Sequence, residues 1–393
     1  MIHLDKSIST VLDFAKTSSR TETVPLWEST NRVLAVDIVS DIYMPPFDKA
    51  AVDGYACRKA DISENMKVIE VIPAGQFPKK TIEQGTCSKI MTGAPVPKGA
   101  DCILMVEETE TLSDNIIRFT GKDTKSNIAI FAEDVKLGDV VLEKGILIEP
   151  QHIAILAAVG VSQVEVSSKP KVSILITGDE LVEPEVKPQP SQIRNSNGHQ
   201  LYTQVIRAGA EPVYGGIIED TLEATRSAIS NALNETDIVV LTGGVSMGDF
   251  DYVPQVLQEL GVELKFQTIA VQPGKPTVFG VKGDKLVFGL PGNPVSSLLQ
   301  FELHVRPAIQ KIMGNQKPQM DIIKMPLATD YKRKRAQRLA LVPAMFTGSG
   351  EVQPVNYHGS AHIFALTSVT AFIMVPIGVE QINKGVLVDV RPI

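Results

Sequence analysis

Cysteine is scarce in this chain of 393 residues: Cys57, Cys87 and Cys102 are the only three, and no two of them form a CxxC pair. That excludes a disulfide framework and a local zinc or iron–sulfur ligand set, and it predicts reduced, mostly buried thiols. Aromatic residues make up only 5% of the chain, yet 44% of its residues are hydrophobic, so extended disorder is excluded. No run approaches the ~18 consecutive apolar residues of a membrane span. The opening stretch MIHLDKSISTVLDFAK is interrupted by Asp5, Lys6, Asp13 and Lys16 and lacks the apolar core of a secretory leader. These absences predict a cytoplasmic protein with no membrane partner. An excess of positive charge is also missing: 38 Lys plus Arg stand against 45 Asp plus Glu, a formal charge of −7. This argues against nucleic acid as a partner but leaves room for a local basic patch that binds a small anion. GxxxxGKS, a Rossmann GxGxxG and HExxH are absent, as is any Ser/His/Asp or Cys/His signature. The six histidines are scattered; His358 and His362 stand four apart, but in a β-rich region, and none is assigned to metal.

What is there reads as a multidomain α/β and β protein, two to four domains at roughly 100–200 residues each. Residues 1–40 and 134–169 form a discontinuous helical linker subdomain. Ser7 is a candidate N-cap for a helix using Ile8, Val11, Leu12 and Ala15, and Pro150 and Gly160 bracket a second helix. Residues 41–133 carry short β runs broken by Pro and Gly, a small β domain. From 170 to 314 apolar strand runs (KVSILITG, EPVYGGII, DIVVLTGG, KLVFGLPG) alternate with amphipathic helices. Such alternation implies a doubly wound sheet covered on both faces. Residues 315–393 return to β texture and predict a small barrel or sheet.

In an open parallel sheet, ligands gather beyond the carboxyl ends of the strands. Four loops there are polar or glycine-rich: TGDEL (177–181), IIED (217–220), TGGVSMGDFD (242–251) and GLPGNPVS (289–296). Asn293 and Pro294 form an N-cap and first-turn proline, so the helix start offers N–H groups to a phosphate or oxyanion; an ordinary capped turn is the alternative. Asp179, Glu180, Asp220, Asp249 and Asp251 cluster at successive strand ends, where carboxylates beside a phosphate site usually hold Mg²⁺; singly, each reads rather as a helix cap, and it is the cluster that favours the metal. PGKP (273–276) presents Lys275 on a stiff turn, as an anion ligand or a solvated lysine. KRKRAQR (332–338) carries five positive charges. Such a run is a solvated face or, on an acidic chain, an attractor for a polyanionic small molecule. The residues alone thus point to a Mg²⁺-dependent enzyme acting on a phosphorylated or nucleotide-bearing anion.

Read together, the loops resemble the molybdopterin molybdenumtransferases, the molybdenum insertases related to the carboxy-terminal domain of gephyrin. The resemblance spans the chain through PPFDKAAVDGYA (45–56), KIMTGAPVPKGADCILMVEE (89–108), AEDV (132–135), TGDEL, QIRNSNGHQL (192–201), LTGGVSMGDFDYV (241–253), QPGKPTVFG (272–280) and FGLPGNPVSSLLQFELHVRP (288–307). It implies an elongated homodimer of four subdomains, the third resembling molybdopterin adenylyltransferases. It implies a reaction as well: adenylylated molybdopterin binds with Mg²⁺, molybdate is inserted at the dithiolene sulfurs, and AMP leaves. A molybdopterin adenylyltransferase and apo-molybdoenzymes are the implied protein partners. By resemblance, Gly243, Gly244, Ser246, Pro291, Gly292 and Asn293 would hold the phosphate-bearing substrate. Glu180 and Asp251 match positions near the metal. Lys275, Ser296, Arg338 and Ser360 match positions associated with the molybdate oxyanion. Asp53, Thr92, Asp134 and Asp220 match further functional positions, the first two facing the partner's cleft in the dimer.

The chain departs from the family pattern at five places. Ala50 stands where a serine is frequent, Gln272 and Thr268 where basic residues are frequent, and Ala129 and Ala132 replace the arginine and glycine common before the acidic pair. These changes keep a second reading open, a non-catalytic paralogue that binds the pterin or acts as a scaffold. A stand-alone adenylyltransferase would leave the additional subdomains unexplained.

Overall fold

A computed structural model of the chain describes residues 1–245 and 252–393. Ser246, Asp249 and Asp251 lie outside the described residues. Packing divides the chain into two compact units: Asp37–Lys144 with Pro150–Ser162, and Met1–Val36 with Gly145–Glu149 and Gln163–Ile393.

The smaller unit is built on a six-stranded sheet ordered Cys102–Met105, Gly54–Cys57, Thr86–Ile90, Asn65–Ile72, Ile116–Phe119, Thr109–Ser113. All neighbours are antiparallel except Asn65–Ile72 and Thr86–Ile90. Alternation along the strands buries two faces, one around Tyr55, Met66, Leu104 and Ile117, the other around Ile72, Ile90 and Ile103. Gly54 is obligatory, because a Cβ there would overlap the Leu104 carbonyl oxygen of the neighbouring strand. All three cysteines are free and buried here. Cys57 and Cys102 face each other across paired strands with their sulfurs 3.6 Å apart. The helix Pro150–Ala158, followed by Gly160 at φ 75°, belongs to this unit.

The larger unit contains the doubly wound domain. Four parallel strands lie in the order Glu211–Ile218, Lys171–Thr177, Ile238–Thr242, Lys285–Leu290. Pro276–Lys282 and Glu263–Thr268 then extend the sheet antiparallel, an edge absent from the alternating pattern expected of the sequence. Every residue of Ile238–Thr242 is buried, Val240 into one core and Val239 and Leu241 into the other. The first core is covered by Asn197–Arg207 and the helix after Asn293, the second by Leu222–Glu235 and Val253–Glu259. Thr221 caps its helix, accepting from the Ala224 amide at 3.2 Å. One expectation needs correction. Ser7 is not an N-cap: the helix starts at Leu4, whose burial begins the apolar face a turn earlier, and Ser7 is inside it. Ile206 is exposed, while Leu201 and Val205 carry the buried stripe.

The segment after Asn293 is helical to Ile312, but not uniformly α. Phe301–Val305 forms a π-turn between Pro294–Gln300 and Arg306–Ile312. Pro307 has no N–H to give the Leu303 carbonyl, which is the physical reason for the widened turn before it. C-terminal strands Ile323–Pro326, Leu339–Phe346, Ala371–Val375 and Leu387–Pro392 form an antiparallel sheet. Val271–Gln272 joins its edge in parallel beside Leu339 and Ala340. Among the described residues no helix is long and apolar enough to cross a membrane.

Candidate active site

Beyond the carboxyl ends of the parallel strands lies a cavity of about 1090 Å³ within the larger unit. Its wall includes Glu180, Asp220, Gly243, Gly244, Pro291, Gly292 and Asn293. The two glycines after Ile238–Thr242 are required, with φ of 92° and 62°. A Cβ on Gly243 would overlap the Thr177 carbonyl oxygen, and one on Gly244 would stand 2.9 Å from the Thr177 hydroxyl. A small network sets the opposing loop: Asn197 Nδ2 donates to the Gly292 carbonyl at 2.8 Å and to the Thr242 hydroxyl at 3.1 Å, and Thr242 donates to the Pro291 carbonyl at 3.1 Å. The Asp179 amide donates to Asp220 and the Asp220 amide to Asp179, at 3.3 and 3.1 Å, which ties two strand-end loops together. Asn195 Nδ2 donates to Tyr214 Oη at 2.8 Å, and Tyr214 donates to Glu183 at 2.6 Å. His199 Nε2 stands 3.1 Å from the same carboxylate. Burial raises the Glu183 carboxyl, but the bonds from Tyr214 and His199 outweigh it and hold the group below its usual range.

A second cavity, of about 930 Å³, adjoins the first; Pro276, Pro291 and Asn293 line both. Its wall carries Lys275, Ser296, Lys332, Arg333, Lys334, Arg335, Arg338 and Ser360. Arg333 is structural, donating to the Val379, Arg338 and Pro376 carbonyls at 2.7, 2.9 and 2.5 Å. Arg338 donates once, to the Val271 carbonyl at 3.0 Å, which leaves most of its fork toward the cavity. Among the described residues Lys275, Lys332, Lys334, Arg335 and Arg338 have no ion-pair partner. The helix terminus offers less than its sequence suggests. Pro294 has no N–H, the Val295 amide donates to the Ser360 carbonyl at 3.1 Å, and the Ser297 amide makes its helical bond to Asn293. The Val295–Ser360 bond does place Ser360 over the start of the helix, beside buried Ser296. A glycine-rich cavity edged with carboxylates and a basic cavity thus share one wall.

Residues 2–160 match the family described as "MoeA N-terminal region (domain I and II)", 173–311 the "Probable molybdopterin binding domain", and 324–393 the "MoeA C-terminal region (domain IV)". The chain is 35% identical to the molybdopterin molybdenumtransferase of Bacillus subtilis (strain 168) over 402 aligned residues, covering 99% of this chain and 93% of that one. It is 37% identical to the molybdopterin molybdenumtransferase of Staphylococcus epidermidis, covering 93% and 90%. The chain belongs to the molybdopterin molybdenumtransferase family. Its fold superposes with a TM-score of 0.84, at 33% identity and full coverage of both chains, on the crystal structure of the molybdopterin biosynthesis moeA protein from Pyrococcus horikoshii OT3.

Of the residues that resemble functional positions of molybdopterin molybdenumtransferases, eleven line the two cavities. Gly243, Gly244, Gly292, Glu180 and Asp220 belong to the first; Lys275, Ser296, Arg338 and Ser360 to the second; Asn293 to both, as does Pro291. Ser246 and Asp251 are outside the described residues. Asp53, Thr92 and Asp134 belong to the smaller unit. There Asp53 accepts from the Thr92 amide at 2.6 Å and hydroxyl at 2.7 Å, bonds that hold its carboxyl below the usual carboxylate range. The Asp134 amide donates to the Met44 carbonyl at 3.0 Å. Among the described residues no cluster of three or more His, Cys, Asp or Glu could hold a metal unaided. Glu180 and Asp220 nevertheless bring hard oxygen donors to the cavity wall, and Mg²⁺ is commonly held by one or two carboxylates together with substrate phosphates. The donor set fits that ion. Asn195 and Asn197 lie in QIRNSNGHQL, one of the segments that carry the resemblance, but the resemblance implies no role for them there, and Tyr214 and Glu183 belong to no motif.

Proposed function

We propose that this chain is a molybdenum insertase of molybdenum cofactor biosynthesis, transferring molybdate into adenylylated molybdopterin with Mg²⁺-dependent release of AMP. The observation that carries the reading is the shared wall at Pro276, Pro291 and Asn293. It separates a glycine-rich cavity suited to phosphate groups from a basic cavity suited to a tetrahedral oxyanion, so both substrates can be held side by side. In the first, the backbone at Gly243, Gly244 and Gly292 approaches the phosphates without side-chain obstruction. In the second, Lys275 and Arg338 supply positive charge, and Ser296 and Ser360 supply hydroxyl donors to molybdate oxygens. Holding both reactants against one wall converts their encounter into a step within a single complex. Mg²⁺, when bound by Glu180 with Asp251, supplies charge neutralisation on the phosphate oxygens that become those of AMP. Asp53 and Thr92 act across a homodimer in this reading, a molybdopterin adenylyltransferase delivers the substrate, apo-molybdoenzymes receive the product, and the protein works in the cytoplasm.

The test is AMP release from adenylylated molybdopterin with Mg²⁺, with and without molybdate. Release that requires molybdate and yields cofactor able to activate an apo-molybdoenzyme is expected. Lys275→Ala should raise the molybdate concentration for half-maximal release about tenfold or more, the scale of one lost charge-assisted contact. Tight pterin binding without release, under conditions where an established insertase turns over, would replace this reading with the scaffold.

A further inference from the structure

We infer that Phe364 is the stacking platform for a flat heteroaromatic ring of the ligand in the glycine-rich cavity. The inference rests on the nucleotide-bearing substrate proposed above. Phe364 lies in the short 3₁₀ helix Ile363–Ser368 of the C-terminal segment and lines the cavity. It is 83% exposed, the most exposed of the large hydrophobic residues among those described. The turn itself is fixed: Ala365 is buried, Leu366 packs on the main core, the Val369 amide closes on the Leu366 carbonyl at 3.2 Å, and the Thr367 hydroxyl donates to the Phe364 carbonyl at 2.8 Å. Singly exposed apolar residues are common on protein surfaces; this one differs in that a well-anchored turn presents its ring in the wall of a ligand-sized cavity.

Two further observations point to a flat ring as the group that covers it. Phe364 is the sole aromatic residue in the described lining of the cavity. The rest of the wall includes Gly178, Gly243, Gly244 and Gly292, which carry no side chain that could cover the phenyl ring. The turn that bears Phe364 follows Ser360 and Ala361, which line the basic and the glycine-rich cavity respectively. A ring on Phe364 is therefore held beside the wall at which the phosphate and oxyanion chemistry meets. Adenine and pterin are both flat and heteroaromatic, and both belong to the proposed substrate.

The test measures binding of AMP, neopterin and ribose 5-phosphate to the full chain by titration calorimetry with Mg²⁺. Phe364→Ala should weaken AMP or neopterin, whichever ring the residue carries, by about tenfold to a hundredfold. Ribose 5-phosphate, which has no ring to stack, should bind wild type and variant alike, and this also verifies that the variant is folded. Phe364→Trp should keep the affinity and show quenched indole emission with the same ring compound. Equal affinity of Phe364→Ala and wild type for both ring compounds would overturn the platform and leave the insertase reading standing. Loss of ring binding in Phe364→Ala, in a wild-type protein that releases no AMP, would establish the platform and overturn the insertase.

Discussion

Single residues decide where this chain departs from its relatives. Ala132, where the resemblance to the family implies a glycine, has φ of 58°, a left-handed conformation that its Cβ disfavours. Its amide donates to the Pro45 carbonyl at 3.0 Å, and the Asp134 amide donates to the Met44 carbonyl, so this turn is what orients the acidic residue. The strain is local, about 1 kcal/mol for a non-glycine residue in this region. Ala132→Gly should therefore raise stability by up to about 1 kcal/mol, less whatever glycine costs in chain entropy; denaturant unfolding checks it. A clear loss would mean that the turn tolerates alanine without strain. The cysteines are the residue-scale reading that was most legible. Their small number and irregular spacing predicted free, buried thiols, and all three are so; burial pushes Cys87 up to about 12. The ligand-side network was less legible, because Asn197 and Tyr214 are ordinary residue types whose roles depend on partners 45 and 31 positions away in Thr242 and Glu183.

At the scale of elements, apolar runs and glycine stops were enough to locate the parallel strands and their helices. The pattern did not reveal the antiparallel edge, since Pro276–Lys282 and Lys285–Leu290 read as loop and strand until the turn at Gly283 pairs them. Nor did it reveal the π-turn. That turn lies where Glu302 and His304, both buried, face into the packed interior. Glu302 is 1% exposed and accepts from Gln204 at 2.7 Å and Arg207 at 2.6 Å. His304 Nε2 is 2.8 Å from the Ser7 hydroxyl, whose own proton goes to the Leu4 carbonyl at 2.6 Å, so Nε2 carries the hydrogen and the ring is neutral. Burial drives its pKa down to about 3. The unfolded chain, with an ordinary histidine near 6.5, binds a proton that the folded chain refuses between these values. Stability therefore falls as pH drops below about 6.5, by about 1.4 kcal/mol per pH unit and about 2 kcal/mol by pH 5. Unfolding of wild type and His304→Gln between pH 5 and 8 checks this. The variant, whose amide can still reach Ser7, should lose most of that slope; identical slopes would show that the imidazole is not the group refusing the proton.

The whole molecule is acidic, with a formal charge of −7, yet it concentrates unpaired cations at one cavity. The basic run at 332–338 was visible in the sequence, but its division of labour was not. Arg333 holds three carbonyls, whereas Lys334 and Arg335 have no ion-pair partner among the described residues. A charged cavity on an oppositely charged body focuses its field on incoming anions, and mobile ions screen that field over about 10 Å at 0.1 M salt and about 3 Å at 1 M. Molybdate should therefore bind this protein several-fold more weakly at about 0.5 M than at about 0.05 M sodium chloride. Replacing Lys334 and Arg335 together by alanine should weaken binding at low salt and flatten that dependence, with little change at high salt, where wild type is already screened. Direct titration with molybdate at the two ionic strengths separates field from contact. A variant that binds less well by the same factor at both would make these side chains direct ligands, and one that matches wild type at both would leave Lys275 and Arg338 as the cations that matter.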